Sequence, residues 1–170
     1  MELVENKSYY HIQRLVTYNS NNLFHLNHNY FIGKQKNPFF EMFDYNAGDI
    51  NHYIMLTREL IFEEVRRDNF SIFPSRTKCL WVIEDNQENL DYWRNELIQE
   101  GVRYRLLKMS LTGKIYKANQ HHLRIENVPL EVWRQKAFKY WSGASGSSDN
   151  ETEILFEGFA SVIDIIEERV

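Results

Sequence analysis

The stretch Glu153-Ile-Leu-Phe-Glu-Gly-Phe-Ala-Ser-Val162 decides how the chain is read. It is dominated by aromatic and branched residues, which favour one long strand. A carboxylate stands at its start, and Gly158 interrupts it where a β-bulge or sharp bend would fit. Just before it, Ser142–Asn150 is almost entirely Gly, Ser, Ala, Asp and Asn, the composition of a flexible loop. An acid heading a rigid strand under a mobile loop is one way to hold a catalytic carboxylate. A solvated Glu opening an ordinary core strand is the plainer alternative. About twenty residues follow the loop, too few for a domain of their own, so the strand is expected to join the same sheet as the rest. One domain over residues 1–170 is therefore expected.

Upstream, Pro129–Trp141 reads as a helix with Pro129 near its first turn and Val132, Trp133, Ala137 and Tyr140 facing inward. Val102–Thr112 alternates as a strand, and Gly113 suggests a hairpin turn into Lys114–Ala118. Asn86 or Asn89 can cap a helix running to about Glu100, with Leu90, Trp93, Leu97 and Ile98 as its stripe and Gly101 just past its end. Phe70–Asp85 reads as a strand region broken at Pro74, and its Cys79–Ile83 run has the uninterrupted apolar character of a strand buried on both faces. Asp49–Asp68 reads as a helix capped by Asp49, with Ile50, Tyr53, Ile54, Ile61 and Val65 inward. Phe31–Gly48 reads as a loop packed by its own aromatics, Asn19–Asn29 as an irregular loop, and Ser8–Leu15 as a first strand carrying His11. Helices and strands do not alternate strictly, and no glycine-rich phosphate turn is present. The expected class is α+β with a largely antiparallel sheet.

With 170 residues, 43% hydrophobic and 26% charged, the chain can build a sizeable core and reads as a soluble globular protein. The single cysteine, Cys79, excludes an intramolecular disulfide and sits in an apolar run, as a small core residue would. The N-terminus lacks signal-peptide features and no apolar run reaches spanning length, so a cytoplasmic protein without a membrane partner is expected. A net charge of −4 counts mildly against nucleic acid as a partner. His25 and His28, with His52, lack the acids or cysteines that would complete a metal site, and His121 and His122 point to opposite sides of their element. No metal is expected. Aromatics at 15% suit either a well-filled core or a pocket that stacks on flat ligands.

Three separated pieces together resemble the ADP-ribosyltransferase-like superfamily, in its histidine–tyrosine–glutamate class. Tyr10-His11 is similar to the first-strand aromatic–His pair that holds the ribose of NAD. Leu80-Trp81-Val82, with Tyr92 eleven residues after Trp81, is similar to the strand aromatic and helix tyrosine that sandwich the nicotinamide ring. The strand from Glu153 is similar to the one that opens with the catalytic glutamate. The whole pattern also looks like a bacterial family of small uncharacterised proteins placed in that superfamily.

The resemblance implies a split antiparallel β-sheet core with flanking helices, and NAD as substrate. The implied activity is cleavage of the nicotinamide–ribose bond by an ADP-ribosyltransferase or NAD glycohydrolase. Glu153 would stabilise the developing cation, His11 would fix the ribose, and Trp81 and Tyr92 would stack on nicotinamide. Arg14 and Arg76 are the candidate pyrophosphate partners, because a guanidinium matches phosphate oxygens. The Ser142–Asn150 loop would face the acceptor, which stays open between a protein, a nucleobase and a small molecule. A silent nucleotide-binding or protein-interaction module of the same fold is the alternative. The chain departs from the class pattern at Ile12, where a glycine usually follows the histidine, and at Trp81, where a tyrosine is usual. Glu151 and Glu157 compete with Glu153 for the acid role.

Overall fold

A computed structural model of the chain describes residues 1–15, 23–38, 40, 50–124, 128–146 and 151–169. Five strands form one antiparallel sheet: β1 (Glu2–Arg14), β2 (Asn29–Ile32), β3 (Leu80–Glu84), β4 (Tyr104–Asn119) and β5 (Thr152–Arg169). Three helices flank it: α1 (Ile50–Asn69), α2 (Gln87–Leu97) and α3 (Leu130–Trp141). The fold is α+β, as the sequence predicts.

The sheet closes on itself. β4 lies between β1 and β5 and pairs with each along most of its length. β3 bridges the other edges of the same two strands, through Tyr9↔Glu84 and Tyr10↔Ile83 on β1 and through Leu80↔Phe156 to Val82↔Ile154 on β5. β2 adds to β5 beyond β3, from Gly158 to Ser161. The inside is filled by alternate residues of the long strands, among them Leu107, Met109, Leu111, Ile154 and Phe156, all buried. The opposite face of β5 and the end of β4 present Leu155, Tyr116 and Ala118 to α1 and α3. Those helices lock together where the Trp141 indole donates to the Phe62 carbonyl at 2.8 Å. α2 covers Ile12, Ile83, Tyr104 and Leu106 with Leu90, Trp93 and Leu97. Asn86 caps it, its side chain accepting from the Asn89 amide at 2.9 Å.

Four expectations are corrected. Gly113 does not turn the chain: β4 runs straight through it, and Gly113 meets Gly158 in register. Any Cβ on Gly113 would sit 2.3 Å from the Glu157 carbonyl oxygen, so glycine is there for close approach of two strands, not for a hairpin. Nor is Gly158 a bulge; the β4–β5 register shifts between Leu106 and Leu107 and between Lys108 and Met109. Phe70–Phe73 is a turn, not a strand. The Arg66 guanidinium binds the Ser71 and Phe73 carbonyls, at 3.2 and 3.0 Å, and so takes acceptors that a sheet would need. Finally, Ile50 (69% exposed) and Tyr53 (51%) face away from the core, which α1 reaches through Glu59, Ile61, Phe62 and Val65. The Asp49 cap, part of the Phe31–Gly48 segment and residues 147–150 of the Ser142–Asn150 loop lie outside the described residues. No helix among the described residues is long and apolar enough to cross a membrane.

Candidate active site

The backbone ladder between β1 and β3 ends at Tyr10↔Ile83. One residue further along β1, the His11 imidazole takes over: Nδ1 lies 2.9 Å from the Trp81 carbonyl oxygen. Beyond that point both strands line a cleft of about 1700 Å³, with His11, Ile12, Gln13 and Arg14 on one side and Trp81, Val82 and Ile83 on the other. A carbonyl only accepts, so Nδ1 carries the proton, and Nε2 is left as a bare acceptor. Burial pushes the imidazole pKa down to about 4, against the opposing effect of the Trp81 carbonyl, and His11 is neutral at pH 7.

All six residues singled out from the sequence line this one cleft: His11, Arg14, Arg76, Trp81, Tyr92 and Glu153. Trp81 is flanked by the Phe40 ring at 6.3 Å and by the Arg76 guanidinium at 5.7 Å. Tyr92, on α2, accepts from the Gln120 amide at 3.1 Å. The competing acids separate clearly. Glu157 does not line the cleft; it packs on Gly33, where a Cβ would meet its Cγ at 2.5 Å. Glu151 stands at the cleft wall, bound to Arg124 at 2.7 Å and 3.9 Å from His121 Nδ1. Glu153 is buried below it.

Glu153 ends a buried chain of alternating charge. Arg58 binds Glu59 at 2.7 Å, and Arg76 Nε donates to Glu59 Oε2 at 2.8 Å. Arg76 Nη1 donates to the Tyr140 hydroxyl at 2.7 Å and to Glu153 Oε1, and the Tyr140 hydroxyl donates to the same oxygen. Burial works against the Arg76 charge, but Glu153 and Glu59 outweigh it and hold the guanidinium protonated. Burial likewise opposes ionisation of Glu59, but Arg76 and Arg58 keep its carboxyl below the usual carboxylate range. Burial pushes the Tyr140 phenol up, against the pull of Arg76, so it stays a donor. Every bond to Glu153 falls on Oε1; Oε2 has no hydrogen-bond partner among the described residues. One oxygen is anchored and the other is not.

The sequence leaves Arg76 open between a candidate pyrophosphate partner and an ion-pair residue. In the structure its bonds go to Glu59, Glu153 and Tyr140, so it orients the acid from behind. Glu59 and Arg58 were not foreseen. The available signal was an acid on the buried face of α1, three residues before Phe62. Tyr140 was foreseen as inward, but not as a donor to Glu153. Among the described residues no group of three or more His, Cys, Asp or Glu could hold a metal ion.

Comparison with known proteins gives one family. Its model, described as a protein of unknown function (DUF2441), matches residues 42–168. The matched span holds Arg58, Glu59, Arg76, Trp81, Tyr92, Tyr140 and Glu153; β1, with His11, and β2 lie before it. No curated protein matches the chain. Because the match covers most of its length, the chain belongs to the DUF2441 family.

Proposed function

We propose that the cleft binds NAD and cleaves its nicotinamide–ribose bond, as an ADP-ribosyltransferase or NAD glycohydrolase. The observation that carries this reading is the convergence of His11, Trp81, Tyr92 and Glu153 on one cleft, with one Glu153 oxygen anchored and the other without a hydrogen-bond partner among the described residues. In the reaction the C–N bond breaks, its electron pair leaves with nicotinamide, and the ribose becomes oxocarbenium-like. A carboxylate held beside that cation by Arg76 and Tyr140 needs little reorganisation as charge develops. His11, neutral and with Nε2 as acceptor, can take a hydrogen bond from a ribose hydroxyl and fix the sugar's pose. Trp81 and Tyr92 supply flat faces for the nicotinamide ring. Water or an acceptor nucleophile then adds to the ribose carbon and loses its proton.

The test is free nicotinamide released from NAD by the wild-type protein and by Glu153→Gln, with thermal unfolding of both as a control for folding. The expected result is release by the wild type that falls about 100–1,000-fold in the folded variant, the usual cost of removing a well-aimed electrostatic stabiliser. One observation favours a second reading, a silent nucleotide-binding module: the Arg76 cation that anchors Glu153 also offsets its negative charge. Stabilisation by NAD without nicotinamide release would support that reading.

A further inference from the structure

We infer that Phe24 is a positioning residue of the cleft: its ring, pinned by the cross-strand pair Gln13 and Arg105, sets the plane of the His11 imidazole and keeps Nε2 open to a ligand. For the nicotinamide–ribose chemistry this rests on the proposed function; for the orientation of His11 it stands on its own. The first observation is at His11. The bond from Nδ1 to the Trp81 carbonyl fixes one corner of the imidazole but not the tilt of its plane. The Phe24 ring stands edge-on to it, with 5.5 Å between centroids and 85° between planes. Nε2 forms no hydrogen bond among the described residues and is not fully buried, so it opens onto the cleft that His11 lines. An edge-to-face pair favours the seated ring over a free one roughly 2- to 13-fold.

The second observation is how Phe24 is held. It lies before β2, outside any strand or helix, yet side chains of the closed sheet take both of its backbone polar groups. The Arg105 guanidinium donates to its carbonyl at 2.7 Å, and its amide donates to Gln13 Oε1 at 3.4 Å. Gln13 on β1 and Arg105 on β4 are partners in register, and both are buried. Burying such groups is unfavourable unless they are hydrogen-bonded, so the pair and the Phe24 backbone depend on each other. Arg105 is itself paired with Glu168 on β5, at 3.3 Å. The third observation is a second ring contact. Tyr30 on β2 meets Phe24 at 4.6 Å and 84°, and its hydroxyl accepts from the His25 amide at 2.7 Å. Phe24 thus touches both His11 and Tyr30, and all three line the cleft. A residue fixed at its backbone and by two contacts to its ring is a rigid support, the arrangement that holds a functional side chain to its geometry.

The test reads the ring nitrogens of His11 by proton–nitrogen correlation NMR of the labelled full chain, in the wild type, Phe24→Ala, Phe24→Tyr and Arg105→Lys. Thermal unfolding of each and nicotinamide release from NAD are measured alongside. The expected result is His11 protonated at Nδ1 alone in the wild type and a mixture of both tautomers in Phe24→Ala. Arg105→Lys should show the same mixture to a smaller extent, and Phe24→Tyr should recover the single tautomer. Nicotinamide release should fall roughly 2- to 13-fold in Phe24→Ala and recover in Phe24→Tyr. A folded Phe24→Ala whose His11 signals match the wild type overturns the inference. Should that variant not fold, unchanged His11 signals in Arg105→Lys do the same. Signals that change alike at all six histidines show a general loss of structure and also overturn it. A changed tautomer with undiminished release overturns the positioning role. No release by the wild type counts against the proposed function alone, since the NMR signals read His11 directly.

Discussion

At the scale of single residues, the site is organised by burial. Glu59, Arg76 and Glu153 are each less than a tenth exposed, and taking charges out of water is costly unless they are paired and hydrogen-bonded. The chain from Arg58 to Glu153 meets that condition. His11 solves the same problem by staying neutral, and this makes its contribution depend on pH. Its folded pKa of about 4 lies below the ordinary value of 6.5, so between these two values the unfolded chain binds more protons than the folded one. Stability therefore falls as pH drops from 6.5 towards 4, by about 1–3 kcal/mol. Glu59, whose pKa is also lowered, adds a further loss only below about 4.5. Urea unfolding of the wild type and of His11→Gln between pH 7 and 4.5 checks this: the variant's stability should vary less with pH, and parallel curves would exclude His11 as the source. The candidate residues that line the cleft were legible from sequence because they sit in short strings with a recognisable order. Arg58 and Glu59 were not, because nothing local distinguishes a buried acid on a helix from a solvated one until the partner cation is placed.

At the scale of elements, most strands and helices follow the apolar pattern; the misreadings are glycines or aromatic runs with two meanings, the outward Ile50 and Tyr53, and β2, which lies in segments read as loops. The Cys79–Ile83 run was legible as a strand because it is uninterrupted, although β3 begins at Leu80 and Trp81 is only partly buried where it lines the cleft; α2 was legible because Asn86 caps it and Leu90 begins its stripe. Gly113 was not legible. A glycine between two apolar runs signals a turn locally, and only the partner strand shows that the space is occupied. Gly113 and Gly158 face each other with φ of 158° and 145°, and a Cβ on Gly158 would lie 2.5 Å from the Thr112 carbonyl oxygen and 2.8 Å from the Gly113 Cα. Those neighbours are backbone and cannot rotate away. Gly158→Ala is therefore expected to cost roughly 2–4 kcal/mol, from overpacking and an unfavourable φ together. Gly101→Ala is the comparison: its φ is 80°, but no atom lies within 4 Å of its Cβ position, so it should cost less. Chemical unfolding of the two variants measures the difference, and equal losses would show that φ alone, and not the crossing, sets the need for glycine.

At the scale of the whole molecule, closure of the sheet joins the two ends of the chain and makes the cleft. β1 comes from the start and β5 from the end, and β4 is hydrogen-bonded to both, so no part of the closed sheet can open without separating strands distant in sequence. The gap that becomes the cleft opens where β1 leaves β3 after Tyr10, which makes closure and site two aspects of one arrangement. Such a sheet should not open uniformly. β4 is paired on both edges and carries Leu106, Leu107, Met109, Leu111 and Ile115, all fully buried. β2 is four residues long, pairs among the described residues with β5 alone and is nowhere fully buried. Local openings track such differences in burial and pairing. Native-state hydrogen exchange should therefore show the amides of Leu106–Ile115 exchanging only through global unfolding, and those of Asn29–Ile32 several kcal/mol more easily. Segments of β3 and β1 flanking the cleft, joined by only two residue pairs and the His11–Trp81 bond, should fall between. If β4 exchanged as fast as β2, the sheet would not be closed in solution, and His11 would have no fixed distance from Glu153. Slow exchange in β4 with intermediate protection at Tyr9–His11 is the pattern that a rigid frame around an openable cleft requires.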